Sequence, residues 1–249
     1  MAKTLKSQRF EFMFNKVKEL TGDTKRNSFA CDYFEESTPI WINEYRDSGN
    51  DELFYDRIEY LWGCLGSYYN SSKGYIPKIK TAFEKMNYVP KTVLDFGAGV
   101  GLATYDLAEL LSNTTVYYYN ISEIQTSLFK EMLKQFPIDN IVIIDDPLSV
   151  NAEVVFCSEF FEHIKTPEDA LKYIMGIPGV KHILEASSFR FSDVAGHYET
   201  FIFDNVEVSC NDAQKNFNKL MRRYGFQLSN KVYNVSCWNN RPNIWVKGE

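Results

Sequence analysis

Hydrophobic residues change their spacing near residue 91 of this 249-residue chain. Before that point apolar side chains recur every three or four positions, as on one face of a helix, without the alternation typical of strands. Helices are therefore predicted at Arg9–Leu20, Leu53–Leu65 and Ile76–Met86. The polar, aromatic-flanked stretch Tyr68–Tyr75 between the last two is predicted to be a loop.

From residue 91 onward, short apolar runs alternate with helical patterns. This alternation predicts an α/β fold with a parallel sheet covered by helices on both faces. After the fifth strand the order changes, and the last two strands, Phe226–Cys237 and Asn243–Lys247, are predicted to form a hairpin around a turn at 238–242. The other predicted strands are Thr92–Phe96, Thr115–Tyr119, Asn140–Ile144, Glu153–Cys157 and His182–Ala186, with helices at Leu102–Leu111, Glu123–Gln135, Pro167–Met175 and Asp212–Tyr224.

Composition is that of a globular protein, with 45% hydrophobic and 24% charged residues. No apolar run approaches the roughly 20 residues that span a bilayer, and no apolar signal core follows the N-terminus, so we expect a cytoplasmic protein without a membrane partner. The five cysteines are scattered and predict neither a disulfide framework nor a zinc site. A net charge of −6 gives no overall electrostatic footprint for nucleic acid.

The most informative motif is a glycine-rich turn that follows the strand Thr92–Phe96 and leads directly into a helix. Gly97, Gly99 and Gly101 have no side chain, so the backbone can approach a ligand closely and adopt angles that other residues avoid. The spacing differs from the dinucleotide fingerprint, and no Gly-Lys-Ser/Thr of a phosphate loop follows it. It resembles the first motif of class I S-adenosylmethionine-dependent methyltransferases.

This resemblance implies a Rossmann-like methyltransferase fold, with a seven-stranded, mostly parallel sheet whose last strand is antiparallel. The domains would be an N-terminal helical cap over residues 1–89 and an S-adenosylmethionine-binding domain over residues 90–249. In the family, the acid before the glycines meets the amino group of the methionine moiety, and that position is Asp95 here. Asn120 stands where the family usually has an acid that binds both ribose hydroxyls. By the same resemblance, Asp145 or Asp146 takes the adenine amino group.

Residues that end the strands of such a sheet are candidate ligand contacts. The predicted cofactor-binding set is Asp95, Gly97, Ala98, Gly99, Gly101, Asn120, Ile121, Asp145, Asp146 and Ser158.

The turn after the fourth strand contains a second candidate site. If this turn is helical, Glu159, Glu162 and His163 share one side, and His197 reaches the same sheet edge from the loop after the fifth strand. Such oxygen and nitrogen ligands suit a hard or borderline divalent cation, Mg²⁺ or Mn²⁺. A Glu-His pair after this strand is also compatible with a site without metal, in which the histidine orders the loop or acts as a general base.

The Glu-x-x-Glu-His segment resembles the metal site of small-RNA 2′-O-methyltransferases, and a related segment occurs in ubiquinone-biosynthesis O-methyltransferases. Both families methylate one of two neighbouring hydroxyls. The resemblance implies that a cation fixes both oxygens and lowers the pKa of the reacting hydroxyl. His163, His197 and Glu162 are thus the predicted catalytic residues.

The sequence therefore predicts methyl transfer to oxygen, most naturally on a small-molecule acceptor. The loop Ser187–Asn205 is expected to contribute the acceptor pocket. An RNA 3′ end is the alternative acceptor, with its phosphates on the basic residues Lys215, Lys219, Arg222 and Arg223. A degenerate fold that only binds a partner is the alternative to an enzyme, since the ribose acid is missing.

Overall fold

A computed structural model of the chain describes residues 4–26, 32–190, 192–229 and 243–248. Helical elements occupy the first part of the chain, and strands alternate with helices after it. The elements in chain order are α1 (Leu5–Thr21), α2 (Ser37–Ile40), a π-helical turn (Trp41–Tyr45), a 3-10 helix (Asp51–Asp56), α3 (Tyr60–Ser67), a second π-helical turn (Tyr68–Ser72), α4 (Lys73–Met86), β1 (Thr92–Phe96), α5 (Leu102–Leu110), β2 (Thr115–Tyr119), α6 (Glu123–Gln135), β3 (Ile141–Ile143), a 3-10 turn (Pro147–Ser149), β4 (Val154–Ser158), a 3-10 turn (Phe161–His163), α7 (Pro167–Met175), β5 (His182–Ala186), β6 (Thr200–Phe203), β7 (Val206–Ser209), α8 (Cys210–Arg223), β8 (Phe226–Leu228) and β9 (Asn243–Lys247).

Seven strands form one sheet in the order β3-β2-β1-β4-β5-β9-β8. β9 is antiparallel to both of its neighbours, and the other six strands run in one direction. This arrangement confirms the predicted mostly parallel sheet with an antiparallel last strand. The turn predicted at 238–242 and most of the stretch predicted to precede it lie outside the described residues.

A second, two-stranded sheet is formed by β6 and β7. The prediction of a loop over Ser187–Asn205 is wrong from Thr200 onward, because Asp204 and Asn205 make a two-residue hairpin turn with φ of 52° and 61°. Left-handed angles at both central residues match the twist of the flanking strands, and Asp and Asn tolerate them better than other non-glycine residues do.

The predicted loop over Tyr68–Tyr75 is also wrong. Helix α3, the second π-helical turn and α4 follow one another without a break, so the helical backbone continues from Tyr60 to Met86. Tyr68, Ser72 and Tyr75 point inward and are buried, and their burial holds the segment helical despite its polar composition.

Helices cover both faces of the sheet. On one face α4 contributes Ile76 and Ile79 to a cluster with Val93 and Val154 of the central strands. On the other face α7 and α8 pack against β5 and β9, and Phe217 and Trp245 belong to that cluster. Helices α1 and α3 pack with α5 and α6. The division into a cap over residues 1–89 and a domain over 90–249 stays a prediction.

None of the described helices combines the length and apolarity needed to cross a membrane.

A buried ion cluster attaches α1 to α5. The Arg9 guanidinium is 1% exposed and donates to Glu109 at 2.9 and 2.6 Å and to Asp106 at 3.2 Å. Asp106 also accepts a hydrogen bond from the Tyr68 hydroxyl at 2.8 Å and pairs with Lys6. Several donors therefore compensate the burial of the Asp106 carboxylate.

Replacing Arg9 by Met is expected to lower the free energy of unfolding by about 2–3 kcal/mol, because Asp106 then stays buried without its guanidinium partner. Urea denaturation followed by circular dichroism measures the loss. Lys16→Met is the matched control, since Lys16 lies on the same helix but pairs with Glu131 at the surface. Equal losses in both variants would contradict the importance of the buried cluster.

Candidate functional site

A cavity that is partly open to solvent lies at the carboxyl ends of β1, β2 and β4. One wall consists of the glycine-rich turn after β1, and the opposite wall consists of helical residues that precede the sheet. The latter wall contains residues that no sequence motif indicates: Tyr55, Tyr60, Cys64, Ser67, Tyr68 and Ser72. Their only signal in the sequence is the density of aromatic and hydroxyl side chains before the first strand.

Gly97, Gly99 and Gly101 all have left-handed backbone angles, with φ of 75°, 57° and 74°. A Cβ on Gly97 would lie 2.6 Å from the ring of Phe160, and one on Gly101 would lie 2.1 Å from the ring of Phe129. A Cβ on Gly99 would have nothing closer than an atom 3.7 Å away. Packing therefore requires the outer two glycines, whereas backbone angle alone requires the middle one.

The turn after β1 uses its own N–H groups. Gly97 and Ala98 both donate to the carbonyl oxygen of Tyr119 at 3.0 Å, and Gly101 donates to Ala98 at 3.0 Å. The Gly99 N–H faces the side-chain oxygen of Asn120 at 3.4 Å. The turn thus offers a ligand a close approach to bare backbone rather than a set of free donors.

Asp95 is the next-to-last residue of β1 and lines the cavity. Its carboxyl group is 1% exposed and accepts a hydrogen bond from the Thr104 hydroxyl at 2.6 Å. Burial raises the pKa of Asp95 to about 7, and the Thr104 hydrogen bond opposes part of this rise. A cationic group placed beside Asp95 would favour its ionised form.

Asn120 lines the cavity at the end of β2 and contacts the glycine turn. Its amide nitrogen donates to Gln125 Oε1 at 3.0 Å, and the Gln125 amide donates in turn to the carbonyl oxygen of Tyr55 at 2.7 Å. Two side-chain amides therefore connect the expected ribose position with the helical wall. Sequence reasoning did not identify Gln125, which also lines the cavity.

The other predicted cofactor contacts divide between two places. Ile121 and Ser158 line the cavity. Asp145 lies in a second, open depression formed by the ends of β2 and β3 and the start of α6, which Ile121 also borders. Asp146 accepts a hydrogen bond from the Leu148 N–H at 2.9 Å and caps the 3-10 turn that follows. Neither aspartate lines the main cavity.

The turn after β4 is not a regular helix. Glu159 has a left-handed φ of 51°, and only Phe161–His163 forms a 3-10 turn. The helical offsets assumed for Glu159, Glu162 and His163 therefore do not hold at Glu159, which lies on the cavity wall. Non-glycine residues with positive φ are uncommon and concentrate at functional sites.

Glu162, His163 and His197 come together, with one ligand atom from each lying within 4.8 Å of the others. All three side chains are buried, and the two imidazole rings are perpendicular with centroids 4.7 Å apart. Glu162 accepts a hydrogen bond from the Ser188 N–H at 2.9 Å, and its second oxygen has no partner among the described residues. His163 alone of the three lines the cavity.

Burial governs the protonation of this cluster. It lowers the pKa of His163 to about 4, so the imidazole is neutral at pH 7. Burial and the neighbouring charge of Glu159 raise the pKa of Glu162 well above its usual value. The His163 imidazole is therefore in the neutral form that binds metals, whereas the Glu162 carboxyl group favours its protonated form and would release a proton on binding a cation.

The charges of the lining residues determine which ligands the main cavity suits. Asp95 and Glu159 are acidic lining residues, and the described lining contains no Lys or Arg. Tyr55, Tyr60 and Phe160 provide aromatic surface beside these acids. The cavity therefore suits a cationic ligand next to an apolar or aromatic group. No residue of the predicted acceptor loop Ser187–Asn205 lines it among those described.

Gly101→Ala is expected to lower the free energy of unfolding by about 3 kcal/mol, since the methyl group enters the Phe129 ring and the backbone angle is strained. Gly99→Ala should lose only about 1 kcal/mol, because its methyl group makes an ordinary 3.7 Å contact with Gln125 and adds backbone strain alone. Thermal unfolding of both variants tests this difference. Similar losses would show that packing does not separate the two glycines.

Comparison with known proteins gives matches in structure. The sequence matches no protein-family model, and no curated protein matches it. The magnesium protoporphyrin IX methyltransferase of Synechocystis PCC 6803 with bound S-adenosylmethionine is 14% identical, with a TM-score of 0.52 over 89% of this chain and 100% of that one. The same enzyme with S-adenosylhomocysteine is 12% identical, with a TM-score of 0.51 over 82% of this chain and 96% of that one. The chain therefore has the Rossmann-like fold of the S-adenosylmethionine-dependent methyltransferases.

Proposed function

We propose that this protein is an S-adenosylmethionine-dependent methyltransferase that methylates an oxygen atom of a small molecule. The observation that carries the proposal is the cavity at the end of β1, where a buried acid and three left-handed glycines occur together. S-adenosylmethionine bears a sulfonium and an ammonium group, and the acidic lining suits this pair of cations.

The aromatic wall of the cavity supports a small acceptor. Tyr55 and Tyr60 face the turn after β4, and the ring of His163 lies edge-on to both. An acceptor between these rings would place its hydroxyl near His163, whose neutral imidazole accepts the proton if it is not a metal ligand. Because His163 is a weak base, the acceptor hydroxyl must be acidic itself or be acidified by a neighbouring cation.

Calorimetric titration of the chain with S-adenosylmethionine is the primary test, with micromolar or tighter affinity expected. Transfer of label from methyl-labelled S-adenosylmethionine to catechols, sugars and short RNAs then identifies the acceptor class. Transfer to RNA alone would replace the small-molecule proposal with the RNA alternative. Absence of binding would contradict the enzyme and favour a degenerate binding module.

The affinity for S-adenosylmethionine should depend on pH through Asp95. The ionised carboxylate binds the cofactor ammonium group, and the pKa of Asp95 in the free protein is about 7. Affinity for S-adenosylmethionine should therefore rise by up to about tenfold per pH unit between pH 5 and pH 7 and level off above pH 7. Below pH 7, binding should release a proton from Asp95. Calorimetry in buffers of different ionisation enthalpy measures the protons released. Asp95→Asn should bind more weakly and lose this slope, and an unchanged slope would contradict the role of Asp95.

We further propose that Glu162, His163 and His197 hold a divalent cation, with Mg²⁺ and Mn²⁺ as the candidates. The donor set fits a metal, because one carboxylate oxygen is buried without a partner and the donor atoms lie within 4.8 Å of one another. Glu159 stands nearby on the cavity wall, outside this group of three. A bound cation would lower the pKa of an acceptor hydroxyl.

Mn²⁺ is expected to bind the unaltered chain and to raise its unfolding temperature. Glu162→Gln and His163→Ala should each weaken Mn²⁺ binding by at least about tenfold, because a metal site with few protein ligands cannot lose one without loss of affinity. Titration calorimetry measures the affinity. His182→Gln is the control, since His182 is buried against Tyr88 away from the cluster. Equal affinities in all variants would exclude a metal at this site.

A further inference from the structure

Three hydroxyl groups meet where β4 contacts the helical wall of the cavity. Ser72 Oγ lies 2.9 Å from Ser158 Oγ and 3.3 Å from the Tyr75 hydroxyl, and the Tyr75 hydroxyl also contacts Ser158 Oγ. We call these three residues the hydroxyl cluster. Ser72 and Ser158 line the cavity, whereas Tyr75 is 1% exposed and stands behind them.

The hydroxyl cluster carries three O–H donors in a small space. Burial raises the pKa of Tyr75 well above its usual value, so its phenol stays protonated. If Tyr75 donates to Ser158, the Ser158 proton can point toward the cavity, and the Ser72 proton can do the same. The cluster can thus present two neutral donors to a ligand, supported by a third from behind.

A ligand that carries a carboxylate needs neutral hydrogen-bond donors in this cavity. The described lining of the cavity has no Lys or Arg, and its carboxyl groups, Asp95 and Glu159, repel an anion when they are ionised. Neutral hydroxyls are therefore what this wall offers to a negatively charged group. In S-adenosylmethionine the ammonium and carboxylate groups share one carbon atom, so they must bind close together.

Strand register places the two partners side by side. Asp95 is the next-to-last residue of β1 and pairs with Phe156 of the neighbouring strand β4. Ser158, two residues after Phe156, is the last residue of β4. Ser72 belongs to the second π-helical turn, a conformation that occurs frequently at functional sites. An ammonium group at Asp95 would thus leave its carboxylate near the hydroxyl cluster.

We propose that the hydroxyl cluster binds the carboxylate of the amino-acid end of the cofactor, with Ser72 and Ser158 as donors and Tyr75 as a positioning residue. The inference rests on the proposed function, because it requires S-adenosylmethionine in the cavity. It assigns a binding role to the second π-helical turn and α4, which lie before the glycine-rich motif.

The test compares two ligands that differ only at this group, S-adenosylmethionine and its decarboxylated form. Ser72→Ala and Ser158→Ala should each weaken binding of S-adenosylmethionine by about ten- to one-hundredfold, and Tyr75→Phe by about three- to tenfold. Binding of the decarboxylated form should change by less than about twofold in all three. Ser71→Ala is the matched control, because Ser71 lies in the same turn but outside the cavity lining.

The two ligands separate the outcomes. Retained affinity for the decarboxylated form shows that each variant is folded with an intact cavity. Equal losses for both ligands, or no loss for either, would overturn the assignment of the carboxylate and leave the proposed function standing. If the unaltered chain binds neither ligand, the proposed function fails and the inference fails with it.

Discussion

The polypeptide has to reverse direction at the end of β1 without placing a side chain between the sheet and the helical wall. Gly97, Gly99 and Gly101 meet this constraint with left-handed angles, and their N–H groups are used in or beside the turn. The rings of Phe160 and Phe129 occupy the space where side chains would stand. The open volume beside Gly99 and the burial of Asp95 both follow from this turn, so the cavity depends on it.

The charge preference of the cavity follows from the burial of acidic side chains without basic partners in the described lining. A carboxyl group in a lining without described basic residues resists ionisation, as Asp95 does, and a cationic ligand relieves this penalty. Beside the cavity, burial likewise favours the neutral forms of the Glu162 carboxyl group and the His163 imidazole. A site of this kind selects cationic ligands over neutral or anionic ligands of similar shape.

The sheet could be predicted from sequence because its signals are local. Thr92–Phe96 and Thr115–Tyr119 are compact apolar strands, and the structure reproduces both bounds. The helical continuity over Tyr68–Tyr75 could not be predicted, because Tyr68 and Ser72 face inward through contacts with Asp106 and Ser158, far away in the sequence. Local propensity carries no information on such partners.

The candidate site shows the same division. The sequence indicated that Glu162, His163 and His197 would meet, since residues that follow neighbouring strands share one edge of a sheet. It misplaced Glu159, because the left-handed angle there interrupts the helical spacing on which the expectation relied. It also missed the turn at Asp204 and Asn205, although both residue types tolerate the left-handed angles that a two-residue hairpin turn requires.

The amide pair of Asn120 and Gln125 makes the helical wall of the cavity depend on an amide, and not an acid, at the end of β2. The Asn120 nitrogen is a donor to Gln125, which in turn holds the Tyr55 carbonyl. An aspartate at 120 would face the Gln125 oxygen with a second acceptor, so Gln125 would have to rotate and release Tyr55. An acid at position 120 would therefore need a different residue at position 125 to keep the helical wall of the cavity attached to the end of β2.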